Sequence, residues 1–362
     1  MFESEAEGLV RCNGGPFISE EEYSDRILPF WGKYGRKPKK LWFDLFGSRD
    51  HSCDPRFIPT DMYYNEIIPY VNNMQFFYLA RDKCMFDRYL PDVRQPETVC
   101  KCMSGFYYDA GMNMISRAEA IKLCLGHDGR IILKPSFSSS SRNLHCIDPS
   151  VCSEKDVDAL FDLLGAYFIV QHRLEQHPEL ARLNPDTVNA IRVYTFLTGD
   201  GVYIPHSVIR IGSPGMQATD QGSGGLDCEI ENDNSLKKKV SKAEAKYYEN
   251  NGDETIVREE LRWLDTPECF RADTGYKIPS MDRVRDIART AHMKLPHFRW
   301  IGWDFAVGTD GEPVLLEYNL APGHINGQII TCKPMFGEMT EEIFDDYFIH
   351  RRIGKSRLTN KL

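Results

Sequence analysis

Residues 303–319, WDFAVGTDGEPVLLEYN, consist of two apolar runs separated by Asp310 and Gly311. An Asp-Gly pair between apolar runs is a strong β-hairpin signal, because both residues tolerate a positive φ. A two-residue turn at this point pairs Asp304 directly with Glu317, and paired residues lie on the same face of a hairpin. The stretch therefore predicts two carboxylates that face each other.

A third oxygen-bearing side chain lies on the same face of this hairpin. Asn319 is two residues beyond Glu317, and its predicted partner Gly302 has no side chain to obstruct it. Like charges that face each other destabilise a hairpin unless something neutralises them. Mg²⁺ can do so, and it prefers one or two carboxylates together with nucleotide phosphates. A structural ion pair with a nearby lysine or arginine is the alternative, and the hairpin leaves both open.

Composition restricts the class of protein. The chain has 362 residues, of which 42% are hydrophobic and 27% are charged, and these values are typical of a globular enzyme with two or three domains. The net charge of −9 argues against a nucleic-acid binder, which usually presents a basic face. No apolar run approaches the ~18 residues of a membrane span. We therefore expect no nucleic-acid partner and no membrane span, whereas the oligomeric state is not predictable.

The compartment is predicted from the first residues and from cysteine usage. The first fifteen residues, MFESEAEGLVRCNGG, are acidic and lack the pattern of a secretory signal. The eleven cysteines include no Cys-x-x-Cys pair, and reduced thiols are the simplest interpretation. We expect a cytoplasmic protein.

Strand and helix patterns are mixed along the chain, with hairpins rather than repeated βαβ units. This order favours an α+β fold over a Rossmann fold or a barrel. Strands are predicted within GRIILKPSF (129–137), AYFIVQHRL (166–174) and NAIRVYTFLTGDGVYIPHSVIRIG (189–212), and helices within SEKDVDALFDLLG (153–165), SMDRVRDIARTAHMKL (280–295) and TEEIFDDYFIHRR (340–352).

Four basic residues are candidates for binding phosphate. Lys83 lies at the head of a predicted helix, and Lys134 ends a predicted strand before a serine-rich loop, although a lysine at the end of an element is usually just solvated. Arg192 and Arg210 interrupt apolar strands, so each guanidinium must find an anion. That anion is either a phosphate or a structural carboxylate.

Two loops are candidates for covering a bound ligand. PSFSSSSRN (135–143) offers hydroxyl groups and backbone N–H groups, and DQGSGGLD (220–227) is rich in glycine. Flexible linkers are the equally plausible interpretation of both loops.

Taken in order, these segments resemble the ATP-grasp superfamily over roughly residues 80–350. The hairpin and the following APG look like those of D-alanine:D-alanine ligases and ribosomal-protein glutamate ligases. The resemblance is closer to the sugar-transfer-associated group, which is similar to teichuronopeptide biosynthesis enzymes. The segments that carry this resemblance are VQHRLEQHPELARLNPDTVNAIRVYTF (170–196) and KPMFG (333–337).

The resemblance implies a nucleotide held between two α+β lobes. It divides the chain into an N-terminal region (1–78) with a possible role in substrate choice, a small lobe (79–168), a large lobe (169–350) and a tail (351–362). The implied cofactors are ATP and Mg²⁺. The implied site residues are Lys83 and Lys134 on the triphosphate, Gln171, His172, Arg173 and Leu174 at the adenine, Asp304, Glu317 and Asn319 on the metal, and Arg192 and Arg210 near the transferred phosphoryl group.

The resemblance also implies a reaction, in which ATP phosphorylates a carboxylic acid and an amine then attacks the acyl phosphate to give an amide. The acid and the amine are expected to be small molecules, saccharide-linked acids or peptides. A phosphotransferase acting on a hydroxyl group is the alternative, with Asp220 or His206 as its base. A nucleotide-binding module without turnover is disfavoured, because both lysines and all three metal ligands are present.

Overall fold

A computed structural model of the chain describes residues 2–12, 14–48, 50–137, 143–212, 225–237, 239–250, 253–265 and 275–350. Two antiparallel sheets with helices packed against them make up these residues, which confirms the predicted α+β class. Within the described ranges, no helix is long and apolar enough to span a membrane.

Short helical pieces make up the N-terminal region. The α-helices are α1 (Phe2–Cys12), α2 (Glu20–Glu22), α3 (Leu28–Gly32), α4 (Lys40–Phe46), α5 (Thr60–Met62), α6 (Ile68–Val71), α7 (Phe77–Ala80) and α8 (Phe86–Tyr89). Turns of π-helix (Tyr23–Ile27 and Tyr63–Ile67) and of 3₁₀-helix (Met74–Phe76 and Lys83–Met85) lie between them. Several of these pieces join end to end.

The small lobe is a six-stranded sheet with two helices. Its strands are β1 (Thr98–Met103), β2 (Phe106–Asp109), β3 (Met114–Ile115), β4 (Ile131–Pro135), β5 (His145–Ile147) and β6 (Tyr167–His172), in the order β3-β2-β1-β6-β4-β5. Its helices are α9 (Arg117–Leu125) and α10 (Glu154–Leu164), with a 3₁₀ turn at Pro149–Val151. Helix α10 begins where the sequence predicts, because the Ser153 side chain accepts a hydrogen bond from the Asp156 N–H. Gly165, at φ 72°, ends it.

The large lobe has an eight-stranded sheet. Its strands are β7 (Ala190–Thr198), β8 (Gly201–Tyr203), β9 (Ser207–Ile211), β10 (Leu226–Glu229), β11 (Lys239–Asn250), β12 (Asp253–Asp265), β13 (Trp300–Val307) and β14 (Pro313–Asn319). They run in the order β12-β11-β10-β9-β7-β13-β14, with β8 paired to β7. The helical pieces are α11 (Pro178–Ala181), α12 (Met281–His292), α13 (His324–Thr331), a 3₁₀ turn (Gly337–Met339), α14 (Thr340–Phe344) and a π-helical turn (Asp345–His350).

Alternation along β7 gives the large sheet two different faces. Ile191 and Val193 point into the core beneath the sheet, where helix α12 packs. Arg192 and Tyr194 point to the opposite face, where both line the cleft and Tyr194 also packs in the core formed with the N-terminal region. The period of two residues along a strand therefore places Arg192 at the cleft and its two neighbours in the core beneath the sheet.

The N-terminal region and the large lobe share one hydrophobic core. Trp31 is fully buried, and its ring lies 5.0 Å from the Phe344 ring and 6.2 Å from the Phe348 ring. Trp300 of β13 belongs to the same cluster of buried side chains. Residues near the two ends of the described chain thus support the sheet that carries the site.

Candidate functional site

A cleft of about 480 Å³ lies between the two sheets. Strands β4 and β6 form the wall from the small lobe, and β7, β9, β13 and β14 form the wall from the large lobe. The structure places at this cleft all the residues expected to bind nucleotide, metal or the transferred phosphoryl group: Lys83, Lys134, Gln171, His172, Arg173, Leu174, Arg192, Arg210, Asp304, Glu317 and Asn319. Their individual roles remain predictions.

The hairpin turn differs from the two-residue turn predicted at Asp310-Gly311. The N–H of Gly308 donates to the carbonyl of Glu312 at 2.9 Å, so the turn spans residues 309–311. Gly311 adopts φ +80°, a conformation that glycine reaches without strain. The two-residue turn is therefore wrong, and the turn has three residues.

A bulge at Leu316 compensates for the longer turn. Phe305 pairs with Leu315, but the next pair along the ladder is Asp304 with Glu317, so Leu316 is an extra residue in β14. The longer turn takes Thr309 out of the first strand and shifts the register by one residue. The extra residue Leu316 in β14 shifts the register back, which restores the predicted opposition of the two carboxylates. The bulge also lets two consecutive residues, Leu316 and Glu317, face the cleft.

Asp304 is held by a buried arginine. Strand β13 pairs with β7, which sets Asp304 opposite Arg192, and the guanidinium donates to both carboxylate oxygens, with Nη2 2.6 Å from Oδ2. Burial would lower the pKa of Arg192, but the Asp304 charge outweighs burial and raises this pKa above its ordinary value. Asn319, opposite Gly302 as predicted, donates from Nδ2 to Asp304 Oδ2 at 3.4 Å. The structural ion pair that the sequence left open is therefore present at Asp304.

Glu317 faces two lysines, and both come from the small lobe. Lys83 Nζ lies 3.3 Å from Glu317 Oε2. Burial would raise the pKa of Glu317, but Lys83, Lys134 and Arg192 outweigh burial and lower this pKa to about 2. Burial, followed by the charge of Lys83, lowers the pKa of Lys134 to about 8. Glu317 is thus ionised at neutral pH, and it lies among cations that suit an anionic ligand.

A fully buried lysine fixes the segment that carries Lys83. Lys101 on β1 donates from Nζ to the Cys84 carbonyl at 2.7 Å and to Asp87 Oδ2 at 2.6 Å. The Lys83 N–H donates to the Ser136 carbonyl at 3.2 Å, just past the end of β4. These contacts attach the segment to the small sheet, so Lys83 approaches the cleft from the small lobe.

Arg210 has looser ion pairs than Arg192. Its Nε is 3.6 Å from Asp227 Oδ1, and its Nη1 is 3.9 Å from Asp304 Oδ2. Arg210 and Asp227 are direct partners on β9 and β10, and both line the cleft. Sequence reasoning did not assign Asp227 to the site, although the alternation of apolar and acidic residues in β10 was a signal for it. Arg210 is therefore the guanidinium with more freedom to turn toward a ligand.

Backbone groups anchor the end of the small sheet near β6. Gln171 Nε2 donates to the Pro96 carbonyl at 3.2 Å, and Arg173 Nη2 donates to the Asp186 carbonyl at 3.3 Å. Leu174 lines the cleft beside them. This connection between the lobes is therefore fixed on both sides.

Apolar residues that the sequence did not identify complete this end of the cleft. His172 faces the cleft, and its Nδ1 lies 2.9 Å from Nε2 of His127. The apolar residues of β4 and β5 indicate a buried face, but they do not indicate that this face lines a ligand site. The apolar lining residues at this end are Ile132, Leu144, Cys146 and Leu316.

Several residues of the predicted site region fall elsewhere. Residues 138–142 and 213–224, which include most of both candidate covering loops and Asp220, lie outside the described residues. His206 is buried away from the cleft, and its Nε2 contacts the Pro334 carbonyl at 2.7 Å. Burial lowers the pKa of His206 to about 4. His206 is therefore wrong as a base for a hydroxyl acceptor in this cleft.

The three oxygen-bearing side chains predicted to bind a metal do not all suit a small divalent ion equally well. Within the described ranges, no group of three or more His, Cys, Asp or Glu side chains could hold a metal on its own. Two carboxylates and an amide match Mg²⁺ where phosphates supply further ligands. Glu317 and Asn319 fit this role directly. Asp304 fits if its Oδ2 is shared with Arg192.

Comparison with known proteins identifies the family. The sequence model of the sugar-transfer associated ATP-grasp family matches residues 65–342, well over half of the chain. A search of curated proteins found no match.

Solved structures of similar fold include a D-cycloserine synthetase, at 16% identity over 76% of this chain and 71% of that chain, with a TM-score of 0.42. They also include the D-alanine–D-alanine ligase of Bacillus anthracis, at 12% identity over 76% and 69%, with a TM-score of 0.40. Likeness at this level carries no argument about substrate. The family match confirms the resemblance that the sequence motifs indicated: the chain belongs to the sugar-transfer associated ATP-grasp family.

Proposed function

We propose that the chain is an ATP-dependent ligase that joins a carboxylic acid to an amine and forms ADP and phosphate. One observation supports this proposal above the others: four cations and two carboxylates line one cleft between the lobes. A triphosphate with Mg²⁺ needs cations for its oxygens and carboxylates for its metal. The cations are Lys83, Lys134, Arg192 and Arg210, and the carboxylates are Asp304 and Glu317.

The lysines are the proposed triphosphate ligands. Lys83 and Lys134 come from the small lobe and converge on Glu317, so phosphate oxygens entering between them take over contacts that Glu317 now makes. Glu317 and Asn319, with Asp304, would hold Mg²⁺, which would neutralise further charge on the phosphates. The apolar wall near Ile132 suits the nucleobase, next to Gln171–Leu174.

The proposed reaction requires no protein nucleophile. A carboxylate oxygen of the acid attacks the γ-phosphorus, the bond from that phosphorus to the bridging oxygen breaks, and ADP leaves. The amine nitrogen then attacks the acyl carbon and loses a proton, and phosphate leaves with the electron pair of the broken C–O bond. The protein contributes alignment and charge stabilisation. Arg192 is oriented in advance by Asp304, and Arg210 is placed to contact the transferred phosphoryl oxygens.

Incubation with ATP, Mg²⁺ and pooled carboxylic acids, with and without pooled amines, tests this proposal. We expect ADP release that depends on both pools, together with a new amide mass. ADP release with a phosphorylated alcohol and no need for an amine would instead establish a phosphotransferase. Absence of ADP release, with ATP still bound, would establish a binding module.

A further inference from the structure

The charged part of the cleft ends at Tyr194. The pairing of the large sheet puts Glu317, Asp304 and Arg192 in one row across β14, β13 and β7. The next row has Asn319, Gly302 and Tyr194 in the same positions. Past this row, the described lining residues carry no charged side chain: Tyr64, Ala321, Gly323 and Ile330.

Tyr64 closes this end from outside the sheet. It belongs to the N-terminal region, one residue before the part of the chain that the family model matches. Its neighbour Tyr63 is fully buried, donates to the Pro322 carbonyl at 2.9 Å, and accepts from Trp300 Nε1 at 2.9 Å. The Tyr63 and Tyr64 rings meet edge to face with centroids 4.9 Å apart. Through Tyr63, the segment that carries Tyr64 is thus attached to the loop that carries Ala321 and Gly323.

The neighbouring walls are equally fixed. The Tyr194 ring stacks on Trp300, with centroids 5.5 Å apart, and its hydroxyl donates to the Gly323 carbonyl at 3.3 Å. Pro322 covers Gly302 so closely that a Cβ on that glycine would lie 2.7 Å from the proline Cβ. These contacts fix the position of the walls, and they therefore fix the size of this end of the cleft.

We propose that this apolar end binds the body of the acid substrate and that Tyr64 selects it. The proposal rests on the proposed ligase function. The carboxylate of the acid lies at the arginine end, near Arg192 and Arg210, where the phosphoryl group is transferred. Its remainder extends toward Tyr64, where a second charge would lose its water and the described lining residues offer it no charged partner. The substrate class is a carboxylic acid with an uncharged, largely apolar body, and Tyr64 limits the size of that body.

Two measurements on the full chain test this proposal. Calorimetry with Mg²⁺ and a non-hydrolysable ATP analogue measures binding of propionate, hexanoate, phenylacetate, glutarate and glutamate. Turnover of the same acids with ATP and hydroxylamine, which traps an acyl phosphate as its hydroxamate, measures activation. We expect the neutral-bodied acids to bind at least tenfold more tightly than glutarate or glutamate.

Three variants separate selection from general damage. Tyr64→Ala enlarges the pocket, and we expect it to shift preference by tenfold or more from hexanoate toward bulkier phenylacetate while nucleotide affinity is unchanged. Tyr64→Phe keeps the ring and is expected to keep the ranking of acids. Tyr78→Ala removes a tyrosine that is 74% exposed and lies outside the cleft, and it controls for loss of a ring in the same region.

The possible results separate a failure of the proposed acid site from a failure of the proposed ligase function. Tighter binding of glutarate or glutamate, or an unchanged ranking in Tyr64→Ala, overturns the apolar acid site. Selective binding of neutral acids without hydroxamate or ADP from any acid overturns the ligase function and leaves the site proposal supported.

Discussion

The cleft lowers the pKa of both Glu317 and Lys134, which keeps Glu317 ionised and brings the pKa of Lys134 to about 8. Burial disfavours charge on both, but Glu317 has three cations nearby, whereas Lys134 has another lysine. The site therefore has excess positive charge next to one strongly ionised carboxylate. A bound anion would neutralise the excess positive charge, and a divalent cation carried by that anion would neutralise the carboxylate.

Replacing Glu317 with Gln tests its role as a metal ligand. The amide keeps the shape but removes the charge, so we expect Mg²⁺-dependent ADP release to fall about 100-fold or more, by analogy with the loss of other charge-stabilising groups. Circular dichroism should show an intact fold, with a slightly lower melting temperature because the attraction to three cations is lost. Unchanged activity in Glu317→Gln would end the metal assignment.

Lys134 predicts a pH dependence of nucleotide binding. Its pKa of about 8 means that the ammonium is present below pH 8 and is lost as the pH rises above it. A triphosphate prefers the protonated form, so affinity should be level below pH 8 and fall by up to about tenfold per pH unit above it. Isothermal titration between pH 7 and 9.5 measures this slope. Lys134→Arg, which stays charged, should flatten it, and an equally steep slope in that variant would refute the assignment.

At the scale of elements, the sequence predicted which carboxylates face each other in the hairpin, but it did not predict the turn length or the bulge. Alternation with a period of two residues put Asp304 and Glu317 on one face, and pairing confirms it. The third turn residue and the bulge at Leu316 each add one residue without changing the apolar pattern, so the sequence could not reveal them. The same limit applies to the Arg192 pair, since strand order between β7 and β13 depends on tertiary packing.

The Arg192–Asp304 pair between β7 and β13 predicts a clear result in a double-mutant cycle. Arg192→Met or Asp304→Leu alone leaves a buried charge without its main partner and should cost about 3–5 kcal/mol of unfolding free energy. The double variant replaces both with apolar groups and should recover most of that loss, while activity stays absent. Urea denaturation measures all four proteins, and additive losses would contradict a coupled pair.

At the scale of the whole molecule, the N-terminal region is part of the scaffold of the large lobe. Its aromatic residues pack against rings that lie near residue 340 and beyond, as Trp31 does against Phe344. Single-sequence patterns do not report contacts between such distant segments, which is why the region could not be placed. The α+β class was predictable because local alternation and the order of the elements determine it.

Trp31 tests this structural role away from the cleft. It is fully buried and donates from Nε1 to the Pro55 carbonyl at 2.8 Å. Trp31→Ala should lower the free energy of unfolding by about 3–5 kcal/mol through the cavity it leaves. Leu163→Ala, at a side chain that is 68% exposed, is the matched control and should change it by less than about 0.5 kcal/mol. Equal effects in the two variants would contradict a shared core.

The central claim is that this cleft binds a triphosphate between the lobes, and a crystal structure with Mg²⁺ and a non-hydrolysable ATP analogue tests it most directly. We predict phosphate oxygens on Lys83 and Lys134, with the metal on Glu317. A nucleotide bound elsewhere, or a cleft in which Lys83 stays paired with Glu317 and no triphosphate enters, would contradict the claim.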